Sequence, residues 1–326
     1  ILFLTGLVSL FFQYSFIGDY FDSNGSVIYR LFYILFLSFC WLVIGYNFSI
    51  QLIKSNAVYK CLLVLFQILF LFLISLNINQ GPFVDYLDIT NKHNLPTGVY
   101  KSHLDITDAY VLVGFICYFS FSSKMRLVSL CVFIVGLFLL GGRAALFLTI
   151  VIFMIELVRF LIKNKIYLII FLLFSFGFLF AIYQYINSIF GNLASLKRFF
   201  FSSGVAEDGS ALQRVYQFER SLEFLPEQSL FGGYSLNISS GLDFGDYIHN
   251  LLSAWQFYGL PFFIFLIVLM FKNINFQFLQ EKNAFSFFIY FYSFIMVFLA
   301  KYVGFYLFWF SLGLILKANY EVLKSG

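Results

Sequence analysis

Long apolar runs separated by short polar breaks organise this chain. They fall at 1–17, 30–47, 59–77, 108–122, 126–140, 144–160, 166–185, 250–271, 284–300 and 302–317. A helix needs roughly 20 apolar residues to cross a bilayer, and somewhat fewer where neighbours thin it. The pattern predicts an all-α, polytopic integral membrane protein of about ten transmembrane helices. A single transmembrane domain is expected over 1–326, with no soluble domain, heptad array or longer repeat.

One polar segment interrupts this regime, the long loop at 186–249. Inside it, Ser210 with Gln213 fits a capping box, and Ala211 to Leu225 has helical spacing, with Leu212, Val215, Tyr216 and Leu222 apolar. Pro226 then stops the helix. At about 100° per residue, Arg214, Gln217 and Ser221 share one face, and Arg220 points elsewhere. The expectation is a short amphipathic helix lying on the membrane surface. Gly-rich turns follow at Phe231-Gly232-Gly233, Gly241 and Gly245.

Composition strengthens the membrane reading. The chain is 61% hydrophobic and 11% charged, with mean hydropathy +0.90. A soluble domain is about 25% charged. Charge then orients the spans. One set of alternate loops carries eleven basic and three acidic residues, net +8; the other side carries nine and thirteen, net −4. The basic loops and the C-terminus are therefore expected in the cytoplasm, and the loops at 186–249 and 78–107 outside.

Cys40, Cys61, Cys117 and Cys131 all fall in apolar runs, so they read as small buried hydrophobes and not as a disulfide or zinc framework. The chain opens on Ile1 without a Met or a basic leader, which suggests a missing start.

Ionisable groups are costly in a bilayer, so an apolar chain keeps them where the chemistry is. Gly141-Gly142-Arg143 forms a tight outer turn between two spans. Glycines allow close backbone approach, and an Arg fork matches phosphate oxygens. The plainer reading is a hairpin with a snorkelling Arg. His249-Asn250 begins the span after the long loop, at the same outer interface. An imidazole titrating near about 6.5 suits proton removal from a sugar hydroxyl. The plainer reading is a helix cap formed with Asn250. Arg214 and Arg220 lie on the loop helix, where an Arg is commonly just solvated. His93 and His103 share the shorter loop with four carboxylates, but at irregular spacing without D-x-D or H-x-x-x-H, so no metal is assigned.

The order of these pieces carries a resemblance. Gly-Gly-Arg143-Ala-Ala opens a span, and one further span and the long loop follow. In the loop Ser210-x3-Arg214 precedes the aromatic helix, Pro226 and Gly232-Gly233. The loop closes on His249-Asn250-Leu251-Leu252 and then Gly259-Leu260-Pro261. Over about residues 140–265 this resembles the superfamily of O-antigen polymerases and O-antigen ligases, bacterial envelope glycosyltransferases. The turn residue before Arg143 is Gly where that family commonly has Ser, and the chain is short for it.

The resemblance implies a substrate, glycan carried on undecaprenyl pyrophosphate. It implies an active site on the periplasmic side of the bacterial inner membrane, and neither metal nor cofactor. By position, Arg143 and Arg214 would grip the pyrophosphate and His249 would be the base; Arg220, Asn250, Gly141 and Gly142 would support them. The partners implied are the lipid bilayer, a chain-length regulator and a flippase, and no nucleic acid.

A lipid pyrophosphate is already a good leaving group and needs cations more than an acid. The expected activity is repeat-unit polymerisation for O-antigen or capsule by inverting transfer. One alternative is the ligase that moves glycan to lipid A core. Another is a lipid-linked oligosaccharide flippase, which would place charges mid-span and break helices in paired halves. Mid-span charges are nearly absent here.

Overall fold

The computed structural model describes residues 1–16, 21–77, 103–121, 123–139, 143–163, 209–224, 230–234, 248–272 and 284–325. Among them every regular element is a helix: α1 (Leu2–Phe16), α2 (Phe21–Asn47), α3 (Ile50–Ser55), α4 (Ala57–Asn77), α5 (His103–Ser120), α6 (Ser123–Leu139), α7 (Arg143–Lys163), α8 (Gly209–Phe224), α9 (Ser253–Lys272), α10 (Ala284–Leu299) and α11 (Tyr306–Ser325). Nine of the ten apolar runs are therefore helical, and the run at 166–185 lies outside the described residues. Two helical stretches among them, Val27–Asn47 and Ser253–Lys272, are both long and apolar enough to cross a membrane.

Several elements differ from the sequence pattern; α5 starts at His103 and not at 108, and α11 runs on to Ser325 past 317. The six-residue α3 forms where a loop was expected, between Ser49 and Asn56, both in extended backbone. α2 starts at Phe21, through the polar stretch Asp22–Ser26, and not at 30. α9 is not one continuous rod. Gly259 sits at φ 82° and ψ 173°, and Pro261 follows inside the helix. A proline lacks the N–H that the next turn needs, so the helix bends at this pair.

The chain forms two compact units, Ile1–Phe48 with Val205–Gly326, and Ser49–Gly204. In the first, α11 packs against α2 and α10, and α1 packs against α2 and α9. Gly45 and Gly313 make the α2–α11 crossing close, because a Cβ at Gly45 would fall on the Phe310 carbonyl and one at Gly313 on that of Leu42. Small residues let helix backbones approach in this way where lipid removes the hydrophobic drive between them. Polar links tie the rest. The Tyr258 hydroxyl donates to the Leu31 carbonyl at 2.9 Å, Tyr290 to Met270 at 2.8 Å, and Ser293 and Ser311 share a bond of 2.5 Å. Trp309, fully buried, donates its indole N–H to the Val303 carbonyl at 2.6 Å.

The second unit is an α5–α6 hairpin flanked by α3, α4 and α7. Its core is aromatic: Phe115, Phe133 and Phe153 meet with ring centroids 5.8 to 6.1 Å apart, and Tyr118 joins Phe153 at 4.5 Å. Each such pair adds about 0.5–1.5 kcal/mol beyond area burial. All four cysteines are free. Cys117 is buried as expected, but Cys61 and Cys131 lie exposed on α4 and α6. An apolar run around a helix cannot bury every side, and these two occupy the outward one.

Candidate functional site

The head of α9 gathers three of the motifs that the sequence separates. Asn250 builds the entry. Its Oδ1 accepts the Leu252 N–H at 2.9 Å, and its carbonyl accepts both the N–H (3.0 Å) and the hydroxyl (2.7 Å) of Ser253. A short amide side chain turned onto its own backbone is the usual device for satisfying the open donors of a helix start. Asn250 thus has the capping role, and His249, half-buried beside it, is held by the turn that Asn250 makes.

Ser253 and Gln256, one turn further on, carry that turn. Ser253 Oγ accepts the Val303 N–H at 2.8 Å, which ties the α10–α11 connection to the head of α9. Gln256 Oε1 accepts the N–H of Ile248, the residue before His249, at 3.0 Å. Its backbone carbonyl accepts the Gly233 N–H, also at 3.0 Å. Gln256 is 2% exposed, and its Nε2 makes no hydrogen bond.

Gly232-Gly233 and Gly259 meet here as well. Gly232 is at φ 72° and Gly259 at φ 82°, a backbone region that L side chains rarely adopt. Each glycine also fills the space of the other's missing Cβ: a Cβ on Gly232 would lie 2.8 Å from the Gly259 nitrogen, and one on Gly259 2.7 Å from the Gly232 nitrogen. Gln13 of α1 closes the junction, donating to the carbonyls of Phe231 (2.7 Å) and Phe257 (2.8 Å). The Ser9 hydroxyl donates to Phe231 too, and the Phe12 and Phe231 rings stack at 4.2 Å.

The loop helix is present as α8 and begins before the predicted Ala211, so Ser210 lies in its first turn and not ahead of it. Its apolar residues Val215, Tyr216 and Leu222 are exposed, whereas Gln217 is 6% exposed. Among the described side chains of this helix the buried one is thus polar. Arg220 is engaged on its own helix: its guanidinium donates to the Tyr216 hydroxyl at 2.7 Å and lies 5.8 Å from that ring's centroid. Arg214 is on α8, although its side chain lies outside the described residues. Arg143 opens α7 in the other unit, with its side chain likewise outside, and Gly141 and Gly142 are outside altogether.

The structure therefore brings together Gly232, Gly233, His249, Asn250 and Gly259. It adds residues that the sequence did not single out: Ser9, Gln13, Ser253, Gln256 and, in the connection that Ser253 holds, Lys301. The Lys301 ammonium lies 5.3 Å from the Phe305 ring centroid. A lone basic residue between two spans gives no signal of its own. Gln13 and Gln256 were legible only as isolated amides in apolar runs. Among the described residues this region presents an imidazole, an open buried amide donor at Gln256 and a cation at Lys301. Compared with known proteins, the chain matches no family model, no curated protein and no solved structure.

Proposed function

We propose that this protein is a multi-pass inner-membrane glycosyltransferase of about ten spans that polymerises undecaprenyl-pyrophosphate-linked repeat units at the periplasmic face. The observation that supports it most is the rigid junction under His249. A base must be held still, and the Asn250 cap, Ser253, Gln256 and the Gly232–Gly259 contact hold this one on an apolar helix head. The alternation of loop charge supports the outward placement of the same segment.

In this reading the acceptor hydroxyl gives its proton to His249 as its oxygen attacks the anomeric carbon. The bond from that carbon to the pyrophosphate oxygen breaks, and the lipid pyrophosphate leaves with the electron pair. Arg214 holds the developing charge, as an Arg fork suits phosphate oxygens. The resemblance gives Arg143 the same task, and its variant tests that role separately.

The test is a gel of surface polysaccharide from a strain lacking the gene, complemented with wild type, His249→Ala or Arg143→Ala. Polymerisation predicts core bearing a single repeat unit without a ladder in the deletion, and no restoration by either variant at equal protein level in the membrane. Near-normal chain length with Arg143→Ala removes that residue from the mechanism. Bare core with long polymer retained on carrier lipid makes the protein a ligase. An unchanged ladder in the deletion rejects both transfer reactions and leaves transport.

A further inference from the structure

Two cations in the second unit lie in each other's field, and among the described residues neither has an acid for a partner. Lys54 ends α3, and Arg126 stands in the first turn of α6. Both are half-buried. α3 and α6 are each packed on α5. The Arg126 guanidinium lies 5.4 Å from the ring centroid of Tyr118, which is on α5 and 8% exposed. This is within the range of a cation–π contact, and a guanidinium so placed can still offer N–H donors to an oxyanion.

Two donors at this end have no hydrogen bond. Arg126 Nε is buried without a partner, and so is the hydroxyl of Ser120, the last residue of α5, which is 4% exposed. A buried donor left open costs free energy of the same order as a lost hydrogen bond. The N-terminus of α6, three residues after Ser120, adds the positive end of the helix dipole. Burial first, and the Arg126 charge second, lower the Lys54 pKa from its ordinary value. Both effects oppose holding an ammonium here, and an anion would relieve both.

We propose that Lys54, Ser120 and Arg126 form a binding site for a phosphate group at the end of the second unit where α5 turns into α6. Fork, ammonium and hydroxyl suit a tetrahedral oxyanion with several acceptor oxygens better than a single carboxylate. The phosphate can belong to an anionic lipid headgroup or be free in solution. The proposal does not depend on the transferase reading.

The full chain, purified in detergent, is titrated with phosphatidylglycerol, with phosphate-free diacylglycerol and with sodium phosphate. Binding is read by native mass spectrometry and by the shift in thermal unfolding. Retention of phosphatidylglycerol but not diacylglycerol is expected, weakened about fivefold by Lys54→Gln and about tenfold or more by Arg126→Gln. Stabilisation by sodium phosphate at low millimolar concentration identifies a soluble ligand; its absence alongside phosphatidylglycerol binding identifies a lipid one. If Arg126→Gln does not give a monodisperse protein, Arg126→Lys, which keeps the charge and loses the fork, and Lys54→Gln carry the test. Equal binding by wild type and variants, or no phosphate-dependent binding by the wild type, overturns the proposal.

Discussion

The head of α9 and the middle of the second unit are both apolar regions holding a few polar side chains, and, Gln256 Nε2 and the Tyr110 hydroxyl apart, they treat them in opposite ways. Around α9, Gln13 and Ser253 each serve two backbone groups, and the Asn250 side chain caps the Leu252 N–H. In the second unit Gln67 Nε2, Ser129 Oγ and Thr149 Oγ1 are buried with no hydrogen bond. Aromatic rings pack the core of that unit, and at the head of α9 amides and glycines add polar ties to the aromatic packing. Polarity in an apolar environment is therefore not one signal. Where the groups are satisfied they specify geometry, and where they are open they are a cost waiting for a partner.

The sharpest way to break this contrast is Gly259→Ala. The backbone at φ 82° and ψ 173° is essentially reserved for glycine, and a Cβ would fall on the Leu230 carbonyl. Strain of this kind costs about 1–3 kcal/mol before the clash is counted. We expect the largest loss of thermal stability of any variant here, measured in detergent. A melting curve like that of wild type would mean that α9 does not bend at this residue.

Gln13→Leu comes next. It leaves the Phe231 and Phe257 carbonyls without their amide donor and should cost about 1–3 kcal/mol in chemical denaturation. Ser253→Ala opens the Val303 N–H and frees the connection that carries Lys301, for about 1–2 kcal/mol. If the transferase reading holds, Ser253→Ala should also reduce polymer yield at normal protein level, because His249 loses part of its support. Polymer unchanged in a destabilised Ser253→Ala would separate the junction from catalysis.

The smallest effects belong to the second unit. Gln67→Leu and Thr149→Val each remove a buried donor that has no partner, so stability should stay within about 1 kcal/mol of wild type or rise. A large loss in either would show that these groups are satisfied after all, and the contrast between the regions would collapse.

Much of the helical architecture was legible. The apolar runs at 59–77 and 284–300 match α4 and α10 to within two residues, because a run of this kind has no alternative to helix in an apolar setting. The Asn250 cap was legible for the same local reason. Arg220 was not: a solvated cation was expected, and its guanidinium is held by Tyr216 one turn earlier. Lys54 and Arg126 entered the sequence only as loop charges on the basic side. Their mutual field depends on how α3 and α6 are brought to α5, and no local pattern carries that.

What the sequence determined by itself is local: where the chain is apolar enough to be helical, where Asn250 caps a helix, and which breaks carry charge. The tertiary structure alone decided which breaks meet. Gln13 reaches Phe231 and Phe257 across 218 and 244 residues of chain, and Gly232 faces Gly259. The reason is physical. A hydrophobic run specifies burial without direction, whereas a hydrogen bond needs a particular partner at about 3 Å, and that partner is chosen only when the helices pack.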